Sequence, residues 1–164
     1  MDVTDIRRLC RYDAWANARF LRVVEGLTEE QVTRSLTSSF PTVLHTLAHI
    51  VASGWIWVER WEGRTPTASP DWVRAPSLPV LRGQLADVEA RLDRYLSSLT
   101  PEALARPFTW RRLNGEQVSA RLGDVLVHLV NHGTYHRGQL TTMIRQVGGT
   151  PPGTDFSSFA AENP

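Results

Sequence analysis

The chain contains no lysine; its 18 basic residues are all arginine. A lysine Schiff base and a Walker-type phosphate loop are thereby excluded, although arginine can still clamp a carboxylate or phosphate through two parallel hydrogen bonds. There is a single cysteine, Cys10, so no internal disulfide can form, and a reducing cytoplasm is the expected location. The formal net charge is only +1, which provides no field for nucleic acid or an anionic membrane. No apolar run approaches the roughly 18 residues that span a bilayer. The polar start MDVTDIRRLC lacks the apolar stretch of a signal peptide. Internal repeats and low-complexity tracts are missing as well. The 164 residues suffice for one domain with a sizeable core, so 1–164 reads as a single domain.

What is present is helical periodicity in four segments. The first runs from about Thr4 to Gly26, with Asp2 or Thr4 as N-cap and a stripe of Ile6, Leu9, Ala16, Phe20 and Val24. TEEQ at 28–31 reads as a short capped turn. The second helix runs from about Pro41 to Glu62, apolar nearly all round, with proline in its first turn and Gly63 past its end. Residues 63–79 hold four prolines and read as a long loop. The third helix, about Ser77 to Leu99, has a plain stripe of Leu81, Leu85, Val88, Leu92, Tyr95 and Leu99. Asn114-Gly115 lies between two short alternating stretches and predicts a small hairpin. The fourth helix runs from about Leu122 to Val147. The tail after it reads as turns, with Phe156 and Phe159 pinning it to the body. The expected fold class is all-α, a four-helix bundle with a small extended segment before the last helix. Trp55, Trp57, Trp61 and Trp72, which follow LHTLAHI, read as large core and rim residues.

All five histidines fall in two clusters, LHTLAHI with His45 and His49, and HLVNHGTYHRGQ with His128, His132 and His136. Every gap within a cluster is four residues, which stacks side chains on one helical face. Imidazole is the commonest metal-binding side chain near neutral pH. With His136 as reference, Leu122, Val125, Leu129, His132, Leu140, Met143 and Val147 lie within about 40° of it, whereas His128 lies about 80° away. His132 and His136 thus occupy a core stripe where leucine is expected, and His128 flanks it. Two unpaired imidazoles there would each cost a kcal/mol or more.

His45 and His49 share a stripe with Ala52, Ser53 and Ile56, which reads as the wall of a cavity. His49 is deeper in its helix, further from the positive end of the dipole, and is the favoured ligand of the two. Asp13 lies in the middle of the first helix's apolar stripe and needs a partner. It reads as the carboxylate behind a metal-bound histidine, with Asn17 one turn on sharing the task; a salt bridge to an arginine is the alternative. Tyr135, Arg137 and Gln139 face away from the histidine pair, and Arg137 and Gln139 read as ties from the helix to its neighbours.

RYDAWANARF, TLAHIVASGWIWVERWEG, HLVNHGTYHRGQL and the closing PPGTDF occur in the same order as the hallmarks of the DinB/YfiT-like superfamily, which this chain resembles over nearly its whole length. The resemblance implies a four-helix bundle holding one divalent metal on His49, His132 and His136, with His45 a second candidate on its helix. It implies a homodimer, and expression induced by damage rather than DNA binding. Characterised relatives include thiol-dependent transferases and isomerases. The function expected is therefore transfer of a low-molecular-weight thiol to an electrophilic small molecule. Metal-dependent hydrolysis and a non-catalytic stress-response role are the alternatives, and a polar core network without metal is a third. Zinc is the default for nitrogen ligands, with nickel or iron also suited to imidazole.

Overall fold

The computed structural model describes residues 1–163. Asp2 and Asp5 form a capping box that starts α1 (Val3–Glu25), each carboxylate accepting from the other's backbone N–H at 2.9–3.0 Å. A second capping box, Thr28 with Gln31, starts the short α2 (Glu29–Thr33). Helix α3 (Val43–Trp61) begins at Thr42, whose hydroxyl accepts from the His45 amide. Pro41 therefore precedes the cap instead of lying in the first turn. Helix α4 (Leu78–Ser97) buries Leu81, Leu85, Val88, Leu92 and Leu96 along one stripe. The one-turn α5 (Pro101–Ala105) leads into the hairpin β1 (Pro107–Arg111) and β2 (Gln117–Arg121), paired antiparallel from Pro107–Arg121 to Arg111–Gln117. Gly115 has φ +88 in the connecting turn, a conformation that β-carbon sterics deny most residues. Helix α6 (Leu122–Gln146) follows β2 without a break.

The four long helices pack as a ring: α1 on α6, α6 on α3, α3 on α4, and α4 closing back on α1. The fold is thus all-α, with a single small hairpin among the described residues. Its apolar interior falls into two clusters. One gathers Ile6, Trp57, Trp61, Leu92, Leu126 and Leu129; the other gathers Phe20, Leu47, Leu81, Leu140, Met143 and Ile144. Asn17 on α1 and His132, His136 and Arg137 on α6 lie between these clusters, with Asp13 and His49 among the cluster residues next to that gap. The helices therefore carry a polar layer across the middle of the bundle.

Three segments differ from the sequence expectation, the first being the short helix α5. The loop after α3 contains a 3-10 turn at Asp71–Val73, and the tail forms a real helix, α7 (Phe156–Glu162). Phe159 of α7 is buried edge-on against Tyr12 and Trp15, and Glu162 accepts from Arg19 and Trp15. Phe156 stays 43% exposed, so Phe159 does most of the anchoring. Among the described residues no helix is long and apolar enough to cross a membrane.

Candidate metal centre

His132 and His136 stand one turn apart on the face of α6 that packs on α3, and His49 meets them from α3. One ring nitrogen from each of the three lies within 4.8 Å of the others. His49 Nε2 is 3.1 Å from His136 Nε2, which is 3.2 Å from His132 Nε2. A tetrahedral cation with bonds of about 2.0–2.1 Å to imidazole sets its ligand nitrogens about 3.3 Å apart. Two edges of the triangle are already at nearly that spacing.

The hydrogen bonding around His136 shows which atom faces the others. Gln139 Nε2 donates to Ser39 Oγ at 2.8 Å, leaving the amide oxygen 2.8 Å from His136 Nδ1. An amide oxygen only accepts, so His136 donates through Nδ1–H, which makes Nε2 the nitrogen that can bind a cation. That is the arrangement a histidine ligand needs from its outer partner. Burial, reinforced by the neighbouring imidazoles, pushes both His49 and His132 down to about 4. Both rings are neutral at pH 7, with lone pairs free to bind a cation. Phe40, from the segment between α2 and α3, stacks on His49 with centroids 4.3 Å apart and covers that side of the cluster.

His45 and His128 lie outside the triangle. His45 is held at the start of α3, its Nδ1 2.8 Å from the capping Thr42 hydroxyl. His128 is exposed and edge-on to Trp57 at 5.6 Å, one turn before His132. A cleft of about 450 Å³ opens beside His132 and His128, walled by α3, the start of α6 and the hairpin.

Asp13 and Asn17 do not serve the histidines in the way the sequence suggested. The Asp13 carboxylate accepts from Arg137 Nη1 and from Asn17 Nδ2, and Arg137 also donates to Asn17 Oδ1 at 2.7 Å and Thr134 Oγ1 at 2.9 Å. Burial pushes the Asp13 carboxyl up, against the pull of Arg137 and Asn17. Arg137 is only 2% exposed, and its guanidinium would be an isolated buried charge without Asp13. The reason is rotational: Arg137 lies about 100° round α6 from His136 and so faces α1. Phe40 is the site residue that sequence reasoning missed, and Gln139, read only as a tie to neighbouring elements, also holds His136. Gln139 lies three residues past His136, a spacing that permits side-chain pairing on a helix, while Phe40 gave no signal because only the path of its loop brings it to His49.

Fold and site together define an all-α bundle with a candidate three-histidine metal centre. The DinB family model matches residues 1–163, and the chain belongs to the DinB family. It is 29% identical over 157 residues to Protein DinB of Bacillus subtilis (strain 168), covering 93% of this chain and 91% of that protein. The crystal structure of a DinB-like protein from Bacillus cereus superposes with a TM-score of 0.66 at 23% identity, over 87% of this chain and 91% of that one. This second likeness supports the fold.

Proposed function

We propose that His49, His132 and His136 hold one divalent cation, with zinc the default and nickel or iron the alternatives, in an enzyme that transfers a low-molecular-weight thiol to an electrophilic small molecule. The observation carrying this reading is that three imidazole nitrogens converge at one point and one of the three rings, His132, also lines a roomy cleft. Three protein ligands with a side left open distinguish catalytic from closed structural sites. A cation held there lowers the pKa of a bound thiol or water and polarises a substrate oxygen. Gln139 orients His136, Phe40 keeps water from one side of the cluster, and the tryptophan-lined cleft receives the electrophile.

The chain's own thiol does not supply the nucleophile. Burial, with Asp13 nearby, pushes Cys10 up to about 12, so the attacking thiol must come from solution. Family resemblance adds a cytoplasmic homodimer to the reading, which light scattering on the purified protein checks.

The test is elemental analysis of the purified protein, followed by a turnover assay with epoxide and chlorinated electrophiles and a panel of small thiols. We expect one equivalent of metal per chain and thiol-dependent turnover that His136→Ala abolishes. Metal without turnover would leave a binding protein. Turnover without added thiol would make it a hydrolase, and absence of metal would remove the whole reading.

A further inference from the structure

The cleft beside His132 contains one charge that nothing balances. Its apolar wall comes from Ile56 and Trp57 of α3 and Trp110 and Leu113 of the hairpin. Its charged side chains are Arg60, Arg112 and Asp124. Arg112 is paired with Glu116 at 2.8 Å, and Asp124 with Arg121 at 3.0 Å. The nearest acids on the same helix, Glu59 and Glu62, are both taken by Arg64 and Arg91. Arg60 has no acidic partner among the described residues.

Arg60 is nevertheless held in place. Its guanidinium carbon lies 4.7 Å from the centre of the Trp57 ring, and Nη2 donates to the Arg111 carbonyl of β1 at 3.0 Å. Its Nε is buried and has no acceptor. A buried, unsatisfied donor on a cation normally costs more than a kcal/mol. Nε itself is closed off, but Nη1 makes no hydrogen bond among the described residues and is not buried, so a ligand in the cleft can meet the guanidinium there. Along α3, Arg60 is about 16 Å of helix rise beyond His49, so the charge and the histidines stand well apart.

We propose that this cleft binds an elongated carboxylic acid with an apolar or aromatic body, its carboxylate pairing with Arg60 and its other end reaching His132. Carboxylate is favoured over phosphate by charge: one guanidinium balances one negative charge, whereas a phosphate ester carries about 1.5–2 at pH 7. The planar guanidinium also suits two-point contact with a carboxylate, and the tryptophan walls bury the body. The inference rests on the proposed function for what then happens at the histidines, but not for the binding itself.

The experiment is calorimetric titration of metal-free and metal-loaded protein with 4-phenylbutyrate, its neutral amide 4-phenylbutyramide, and phenyl phosphate. We expect the acid to bind at least tenfold tighter than the amide in both forms, and tighter than the phosphate. Arg60→Gln is expected to bring the acid down to the amide's affinity without changing metal content, and Arg60→Lys to restore part of the difference. The acid-to-amide ratio of the unmutated, metal-free protein needs no variant, so misfolding of Arg60→Gln cannot hide the answer. Equal affinities for acid and amide would overturn the proposal. So would an acid preference that appears only with metal, or one that survives Arg60→Gln. If no metal is found but the acid preference holds, the transferase reading falls and this one stands.

Discussion

Gly133 is the most sensitive backbone position in the polar layer. A β-carbon there would stand 2.5 Å from Asp13 Oδ1 and 2.8 Å from Arg137 Nη1. No real contact is that short, and neither partner can swing aside, because both are buried and hydrogen-bonded. In an ordinary helix interior Gly→Ala stabilises by about 0.5–1 kcal/mol. Here Gly133→Ala must push the carboxylate and guanidinium apart, and removing one partner of a buried pair costs about 3–5 kcal/mol. The sign therefore reverses, to a net loss of about 2–4 kcal/mol on subtracting the helix gain. At about 2–4 °C per kcal/mol for a domain of this size, Tm falls by roughly 4–16 °C. Asp13→Asn and Arg137→Met are each expected to lose about 3–5 kcal/mol, and Asp13→Leu with Arg137→Met together to recover most of it.

The assay is thermal and urea unfolding of the metal-free protein at pH 7, with metal affinity measured on the same samples. Asp13→Asn should lower stability while leaving the three imidazoles able to bind metal. If it left Tm unchanged and weakened metal binding, Asp13 would be serving the histidines and the ion-pair assignment would be wrong. If Gly133→Ala stabilised the protein, the close approach itself would be refuted.

Other perturbations follow from the same geometry. His49→Ala, His132→Ala and His136→Ala are each expected to abolish tight metal binding, while His45→Ala and His128→Ala largely preserve it; equal losses from all five in a chelator competition would reject the triangle. Gln139→Ala removes the partner of His136 Nδ1 and should weaken metal affinity about 10- to 100-fold with little change in Tm; unaltered affinity would show that the amide does not orient the ring. Glu89 on α4 has a buried carboxyl oxygen without a partner, and burial, with Asp13 nearby, pushes the group from 4.5 up to about 7. A raised folded-state value favours folding at low pH and is lost as the pH rises through 7. In metal-free protein the stability of Glu89→Gln relative to wild type should therefore be flat below pH 4.5, climb between 4.5 and 7, and level off above; a flat urea-midpoint difference across that window would contradict the burial.

Elements with strong internal signals were legible in the sequence. The stripe on α6 contains His132 and His136 because period and polarity conflict there, and such conflicts mark sites. The hairpin announced itself through Asn114-Gly115. Helices α5 and α7 did not, since one or two turns have too few residues for a periodic pattern and owe their stability to packing. Asp13 shows a subtler limit. Its position in an apolar stripe showed that it needs a partner, but choosing between a histidine and an arginine required the rotation of α6 relative to α1, which no single-helix pattern contains.

That rotation links the two halves of the polar layer. Helix α6 turns His132 and His136 towards α3 and Gly133 and Arg137 towards α1. His49 and His132 are neutral at pH 7, so without a cation no charge pairing holds the register of the histidines across α3 and α6. The Asp13–Arg137 pair is different, because any slip or rotation of α6 that breaks it leaves a buried charge exposed to a low-dielectric interior. Buried polar groups are best attested as devices that specify register, not as sources of stability. In this bundle the pair adds to the packing on α1 and α3 that sets α6 in an arrangement in which, one turn away, three ring nitrogens meet. The energetic penalty for misalignment is borne on the α1 side and the chemistry is presented on the α3 side.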